Sequence, residues 1–121
     1  MLDLNSFLLY SEEPKKLVDF YRRVLAREPN WQENGFSGFE VGGCTLIIGL
    51  HSEVHGRSKN PERIIFNFET KDVKGEFDRM KGLGAKVIAE PYSMEDGGDH
   101  LIATLADPDG NYFQVVSPMD S

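Results

Sequence analysis

The sequence predicts an α+β fold made of two tandem βαβββ modules. Three observations lead there. Two amphipathic helical stripes occur at matching places in the two halves of the chain, opening at Leu17 and Val73, with Tyr21 matching Phe77 and Val24 matching Met80. A glycine-containing turn, Gly42-Gly43 in the first half and Asp109-Gly110 in the second, introduces the last strand of each half. Finally, the whole order of apolar segments repeats, which is harder to obtain by chance than a shared helical stripe.

The first module, about 1–55, opens with a strand over Leu4 to Tyr10. Ser11 to Pro14 reads as a helix start, with Pro14 in the first turn. Leu17, Phe20, Tyr21, Val24 and Leu25 then recur at helical spacing, and Arg22, Arg23 and Arg27 suit the negative end of the helix dipole. Strands follow at about Asn30 to Glu33, Phe36 to Val41 and Cys44 to Leu50, separated by the hairpin dipeptides Asn34-Gly35 and Gly42-Gly43. The polar stretch His51 to Pro61 is the linker.

The second module, about 61–121, repeats the pattern. Arg63 to Glu69 is a strand, Asp72 is an N-cap, and Val73, Phe77, Met80 and Leu83 form the stripe that Gly82 and Gly84 close. Lys86 to Glu90, His100 to Ala106 and Tyr112 to Ser117 are the remaining strands. Pro91 to Asp99 and the turn Asp107-Pro108-Asp109-Gly110-Asn111 separate them.

Composition sets bounds on function. The chain has 121 residues, 40% hydrophobic and 27% charged, enough for a real core in one domain. Its net charge of −7 argues against nucleic acid, whose phosphates require a basic surface, and would attract a cationic ligand. No apolar run is long enough to cross a bilayer, and Met1 to Tyr10 lack a signal-peptide pattern, so a cytoplasmic location is expected. The single cysteine, Cys44, has no intramolecular partner and reads as a small buried hydrophobe. No glycine-rich phosphate loop with a following lysine is present.

The chain resembles the glyoxalase/bleomycin resistance protein/dioxygenase (vicinal oxygen chelate) superfamily. The residues that carry the resemblance are Leu17-Val18-Asp19-Phe20-Tyr21, Asp72-Val73 with Leu83-Gly84-Ala85, and above all Asp107-Pro108-Asp109-Gly110-Asn111-Tyr112-Phe113. The resemblance spans essentially the whole chain. It implies the dihydroxybiphenyl dioxygenase-like architecture of curled mixed sheets around a small-molecule cleft, usually in a homodimer.

The resemblance also implies where a divalent metal would sit in the enzymes of this group. Their usual His, Gln or Glu ligands correspond to Ser6, Ile47 (or Gly49 after a two-residue slip), Ile65 and Gln114. Of these, Gln114 alone is a credible ligand, and a one-residue slip at any position restores no His/Glu set. His51, His55 and His100 are scattered and read as surface or structural residues. Ser6 lacks a base beside it, and Glu69 reads as a solvated carboxylate more readily than as a general base.

The expected cleft is therefore apolar with a few polar groups: Ser6, Ile47, Ile65, Asn67, Tyr112 and Gln114, with Leu8 and Tyr10 continuing the first strand's face. Trp31, Phe36, Phe39 and Tyr92 are candidate wall aromatics, while Phe20, Phe77 and Phe113 belong to the core. Tyr92 to Asp99, with Glu95 and Asp96, is a candidate acidic flap. The sequence reading is a cofactor-free small-molecule-binding homodimer that sequesters a drug or metabolite. The alternatives are a divalent-metal-dependent lyase, isomerase or dioxygenase, and a degenerate subunit whose main role is its dimer interface.

Overall fold

The computed structural model describes residues 1–93 and 98–118. The chain divides into two compact units, Met1–Gly56 and Arg57–Ser121. Each unit has one helix and one four-stranded mixed sheet, the α+β class.

The first unit contains β1 (Ser6–Ser11), α1 (Pro14–Leu25), β2 (Trp31–Glu33), β3 (Phe36–Val41) and β4 (Cys44–Leu50). Its strand order is β1-β4-β3-β2, with β1 parallel to β4 and the other pairs antiparallel. The parallel pair needs a long crossover, and α1 with the β2–β3 hairpin supplies it. Pro14 occupies the first helical turn, where a missing N–H costs nothing. No side chain caps this helix; the Ser11 hydroxyl instead accepts the Glu13 N–H at 3.0 Å. Ala26 ends the helix in the left-handed region, φ 54°, and the Arg27 N–H reaches back to the Arg22 carbonyl at 3.1 Å. Leu17, Phe20, Tyr21 and Val24 form the buried stripe that packs on Leu9, Phe39, Leu46 and Ile48. Phe39, expected as a wall aromatic, is fully buried in this core. Its side chain alternates with Gly38 and Glu40 to the helix-covered face of β3, which explains the correction.

The second unit contains β5 (Phe66–Glu69), α2 (Val73–Gly82), β6 (Lys86–Ser93), β7 (Leu101–Ala106) and β8 (Tyr112–Val116). Its order, β5-β8-β7-β6 with β5 parallel to β8, is the same topology. Asp72 caps α2 by accepting the Gly75 N–H at 3.0 Å. Val73, Phe77 and Met80 face a core of Leu105, Phe113 and Val115, where Phe66 and Phe68 stack on or edge Phe113.

The largest departures from the expected boundaries are in β5 and β6. β5 starts at Phe66, so Ile65 lies just before the strand. β6 continues through Pro91 to Ser93, although a proline was expected to end it. The strand lies at one end of the sheet order and carries register shifts between Val87 and Ala89 and between Ala89 and Tyr92. A proline is tolerated in such a strand because its missing N–H need not serve an inner ladder.

The turn before β8 is held by Asp107, which is 3% exposed. Its carboxylate accepts the backbone N–H groups of Asp109 at 2.9 Å and Asn111 at 3.0 Å, and its carbonyl accepts the Gly110 N–H at 2.9 Å. Gly110 sits at φ 82°, which L side chains rarely adopt. Arg57 and Ser58 lie along this turn: Arg57 Nη1 donates to the Pro108 carbonyl at 3.1 Å, and the Ser58 N–H to the Asp109 carbonyl at 2.8 Å.

Candidate functional site

In each unit one sheet face is covered by the helix and the other is not. Strand alternation decides which side chains reach the helix-free face. In the first unit, register pairs Ser6 with Thr45, Leu8 with Ile47 and Tyr10 with Gly49, and pairs Ile47 with Gly38. These residues share the face opposite Leu9, Leu46 and Ile48. Leu8 is 48% exposed there, a large apolar side chain with no place in the core.

Aromatic rings dominate this face. A Cβ built on Gly38 would fall less than 3.0 Å from three indole atoms of Trp31. A Cβ on Gly49 would fall less than 3.0 Å from two ring atoms of Phe36. Each ring therefore rests where a side chain would otherwise stand. Tyr10 meets the Phe36 ring edge-on, centroids 6.2 Å apart, and the His51 ring at 4.9 Å. His51 Nδ1 accepts the Glu53 N–H at 3.1 Å, which fixes the hydrogen of a neutral ring on Nε2. Sequence reasoning missed both His51 as a ring partner and the two glycines. A glycine in a strand is the available signal, because it marks a bulge or a close approach.

In the second unit the helix-free face carries Asn67, Glu69, Thr104, Tyr112 and Gln114, since Asn67 and Thr104 both register with Gln114. Gln114 Nε2 donates to the Thr104 hydroxyl at 3.1 Å, and Thr104 is 6% exposed. Tyr92 registers with Ile102 on the same face and is 46% exposed. Ile65 precedes the strand at 37% exposure. Thus Ser6, Ile47 and Trp31 fall together in the first unit, and Asn67, Tyr112, Gln114 and Tyr92 in the second. Of the candidate flap, Glu95 and Asp96 lie outside the described residues.

A separate recess of about 520 Å³ lies on the other side of the first sheet, between α1 and the β2–β3 hairpin, with Val18, Ser37 and Ile48 among its walls. Of the sequence-predicted cleft and wall residues, Phe36 alone lines it. Its charged rim is partly self-satisfied, because Arg22 pairs with Asp19. We place the candidate site on the helix-free face of the first unit, where the aromatic rings gather.

The matches to known proteins follow this geometry. The model of the glyoxalase-like domain family matches residues 6–116, nearly the full span from β1 to β8. The chain belongs to the glyoxalase-like domain family. Its fold is shared with solved structures described as members of the glyoxalase/bleomycin resistance protein/dioxygenase superfamily. A family enzyme of that description from Burkholderia phytofirmans PsJN is 21% identical, with TM-score 0.75, covering 96% of this chain and 98% of the other. A glyoxalase-related enzyme from Fulvimarina pelagi is 15% identical, with TM-score 0.77 and coverage of 98% and 89%. The fosfomycin resistance protein FosX from Listeria monocytogenes is 16% identical, with TM-score 0.69 and coverage of 98% and 93%. At these identities the likeness is one of fold. Among proteins with curated descriptions, none matches the sequence significantly.

The divalent metal that the resemblance implies does not fit the donors this glyoxalase-like domain provides. The corresponding positions hold a hydroxyl (Ser6), two alkyl groups (Ile47, Ile65) and an amide (Gln114), whose nitrogen donates to Thr104 and whose oxygen is its one metal-binding atom. One hydroxyl and one amide oxygen supply neither the charge compensation of a carboxylate nor the strong nitrogen donor of an imidazole. Among the described residues no three His, Cys, Asp or Glu side chains cluster to replace them.

Proposed function

We propose that this glyoxalase-like domain binds a small organic molecule without a metal ion, sequestering a drug or metabolite, and that it does so as a cytoplasmic homodimer. The observation that carries the reading is the helix-free face of the first unit. Tyr10, Trp31, Phe36 and His51 make an aromatic surface there, next to the exposed Leu8 and the hydroxyls of Ser6 and Thr45. Aromatic and apolar walls with a few polar groups are the ordinary composition of a ligand site. The helix-free face of the second unit, taken by itself, carries the neutral hydrogen-bonding groups of Gln114, Asn67 and Thr104. The net charge of −7 favours approach of a cation, and aromatic faces also attract cations. A resistance protein occurs among the structural neighbours, FosX being described as a fosfomycin resistance protein. This agrees with a protective role.

The test has two arms. Purified protein is analysed for bound metal and titrated with Ni²⁺, Zn²⁺, Mn²⁺ and Fe²⁺, and a panel of basic aromatic compounds is screened by thermal shift. Stabilisation by such a compound in metal-free protein is expected, because a ligand stabilises the state it binds. Stoichiometric metal that is lost in Gln114→Ala would overturn the reading in favour of a metal-dependent lyase, isomerase or dioxygenase. Size-exclusion chromatography with light scattering tests the dimer.

A further inference from the structure

The two glycines under the aromatic rings are positioned too specifically to be ordinary strand residues. Glycine weakens a strand, having no side chain to pack and more backbone freedom to lose. Gly38 and Gly49 nevertheless lie inside β3 and β4, and neither has a positive φ that would demand glycine. What they have in common is a ring in the place of Cβ: the Trp31 indole over Gly38 and the Phe36 ring over Gly49. Both glycines point to the helix-free face, flanking Ile47 through the β3–β4 register. Each lets a ring settle against the backbone instead of standing off it.

We propose that Gly38 and Gly49 are specificity-determining positions, and that by seating Trp31 and Phe36 against the sheet they create a flat aromatic floor that selects planar aromatic ligands over bulky saturated ones. This inference rests on the binding reading above and names the ligand class. A ring face turned outward from the sheet lets a planar ligand gain offset stacking across it. A globular aliphatic ligand touches the same floor at few atoms. Tyr10, packed at a steep angle to Phe36 and backed by His51, bounds the floor on one side and favours a sheet-like guest. An added methyl at either glycine cannot coexist with the ring as it lies, so the ring must lift into the space a ligand would use.

The experiment compares two monocations, planar 9-aminoacridine and globular 1-aminoadamantane, by isothermal titration calorimetry on the full chain. Trp31 is the one tryptophan, so its fluorescence reports on the floor itself. Wild type is expected to prefer 9-aminoacridine by about tenfold or more. Gly38→Ala and Gly49→Ala should bring the ratio towards one and shift Trp31 emission in the Gly38 variant. Gly43→Ala, in the β3–β4 turn with nothing near its Cβ position, should leave the ratio unchanged. Trp31→Leu removes the ring without touching a glycine and should also collapse the ratio, which keeps the test decisive if a glycine variant fails to fold. Equal binding of the two cations by wild type, or planar preference retained in folded Gly38→Ala, Gly49→Ala and Trp31→Leu, would overturn the inference while leaving the binding reading intact. Binding of neither cation, nor of any compound in the thermal-shift panel, would overturn both.

Discussion

Asp107 grips Asn111 twice: one carboxylate oxygen accepts the Asn111 backbone N–H at 3.0 Å and the other accepts its side-chain Nδ2 at 3.0 Å. The same carboxylate also takes the Asp109 N–H, so a buried anion organises the entire entry into β8. Replacing it by alanine leaves several donors without their acceptor. Asp107→Ala should therefore cost about 3 kcal/mol, and Asn111→Ala about 1 kcal/mol, because hydrogen bonds to a charged group exceed neutral ones. Urea unfolding of both variants checks this. A smaller loss for Asp107→Ala than for Asn111→Ala would show that the carboxylate is not the organising group.

Two left-handed positions should respond to substitution with opposite signs. Ala26 ends α1 at φ 54° and carries a Cβ that glycine would not, so Ala26→Gly should stabilise the protein by about 1 kcal/mol. Gly110 sits at φ 82°, and a Cβ there would also lie 3.0 Å from Arg57 Nη2. Gly110→Ala should destabilise by about 1–2 kcal/mol. Midpoints of thermal unfolding moving in the same direction for both variants would contradict this account.

The helices differ in how they start. Asp72 caps α2 with its side chain, whereas α1 has no side-chain cap. Asp72→Ala should cost about 1 kcal/mol and Glu13→Ala only a few tenths. Chemical denaturation of the two variants under the same conditions compares them directly.

Restoring one ligand should not restore a metal site. Gln114→Glu places a carboxylate in β8, but Ser6, Ile47 and Ile65 still offer no second anionic or imidazole donor. The variant should bind no stoichiometric Ni²⁺ or Zn²⁺ in a calorimetric titration. It should also lose the amide donated to Thr104, lowering stability by about 1 kcal/mol. Tight one-to-one metal binding by this single variant would mean that unrecognised donors lie close by.

Much of the fold was legible because its signals are local. The stripe Leu17, Phe20, Tyr21, Val24 announces both a helix and its buried side, and the bounds of β3 and β4 follow from Gly42-Gly43 between two apolar runs. Errors arose where position in the sheet overrides local chemistry. Pro91 reads as a strand stop but lies within β6, because the proline is placed in a strand at the end of the sheet order. Phe39 reads as a wall aromatic, yet its register opposite Leu46 commits it to the helix-covered face. The sheet faces were readable, since alternation from Ser6 and from Gln114 groups residues that the register places on one face. The pairing of rings with glycines was not, because Trp31 and Gly38 meet only once the β2–β3 register is known.

β6 has a consequence for the protein in concentrated solution. A strand at the end of a sheet is a template on which foreign strands can add, and runaway addition ends in fibrils. Pro91 removes one donor from that template, and the two register shifts break its regular spacing. β2, at the end of the other sheet order, is only three residues long, too short to recruit a lasting partner. These devices act on colloidal behaviour: Pro91→Val, which returns one backbone donor to that strand, is expected to raise the tendency to aggregate, even where the native state loses no stability.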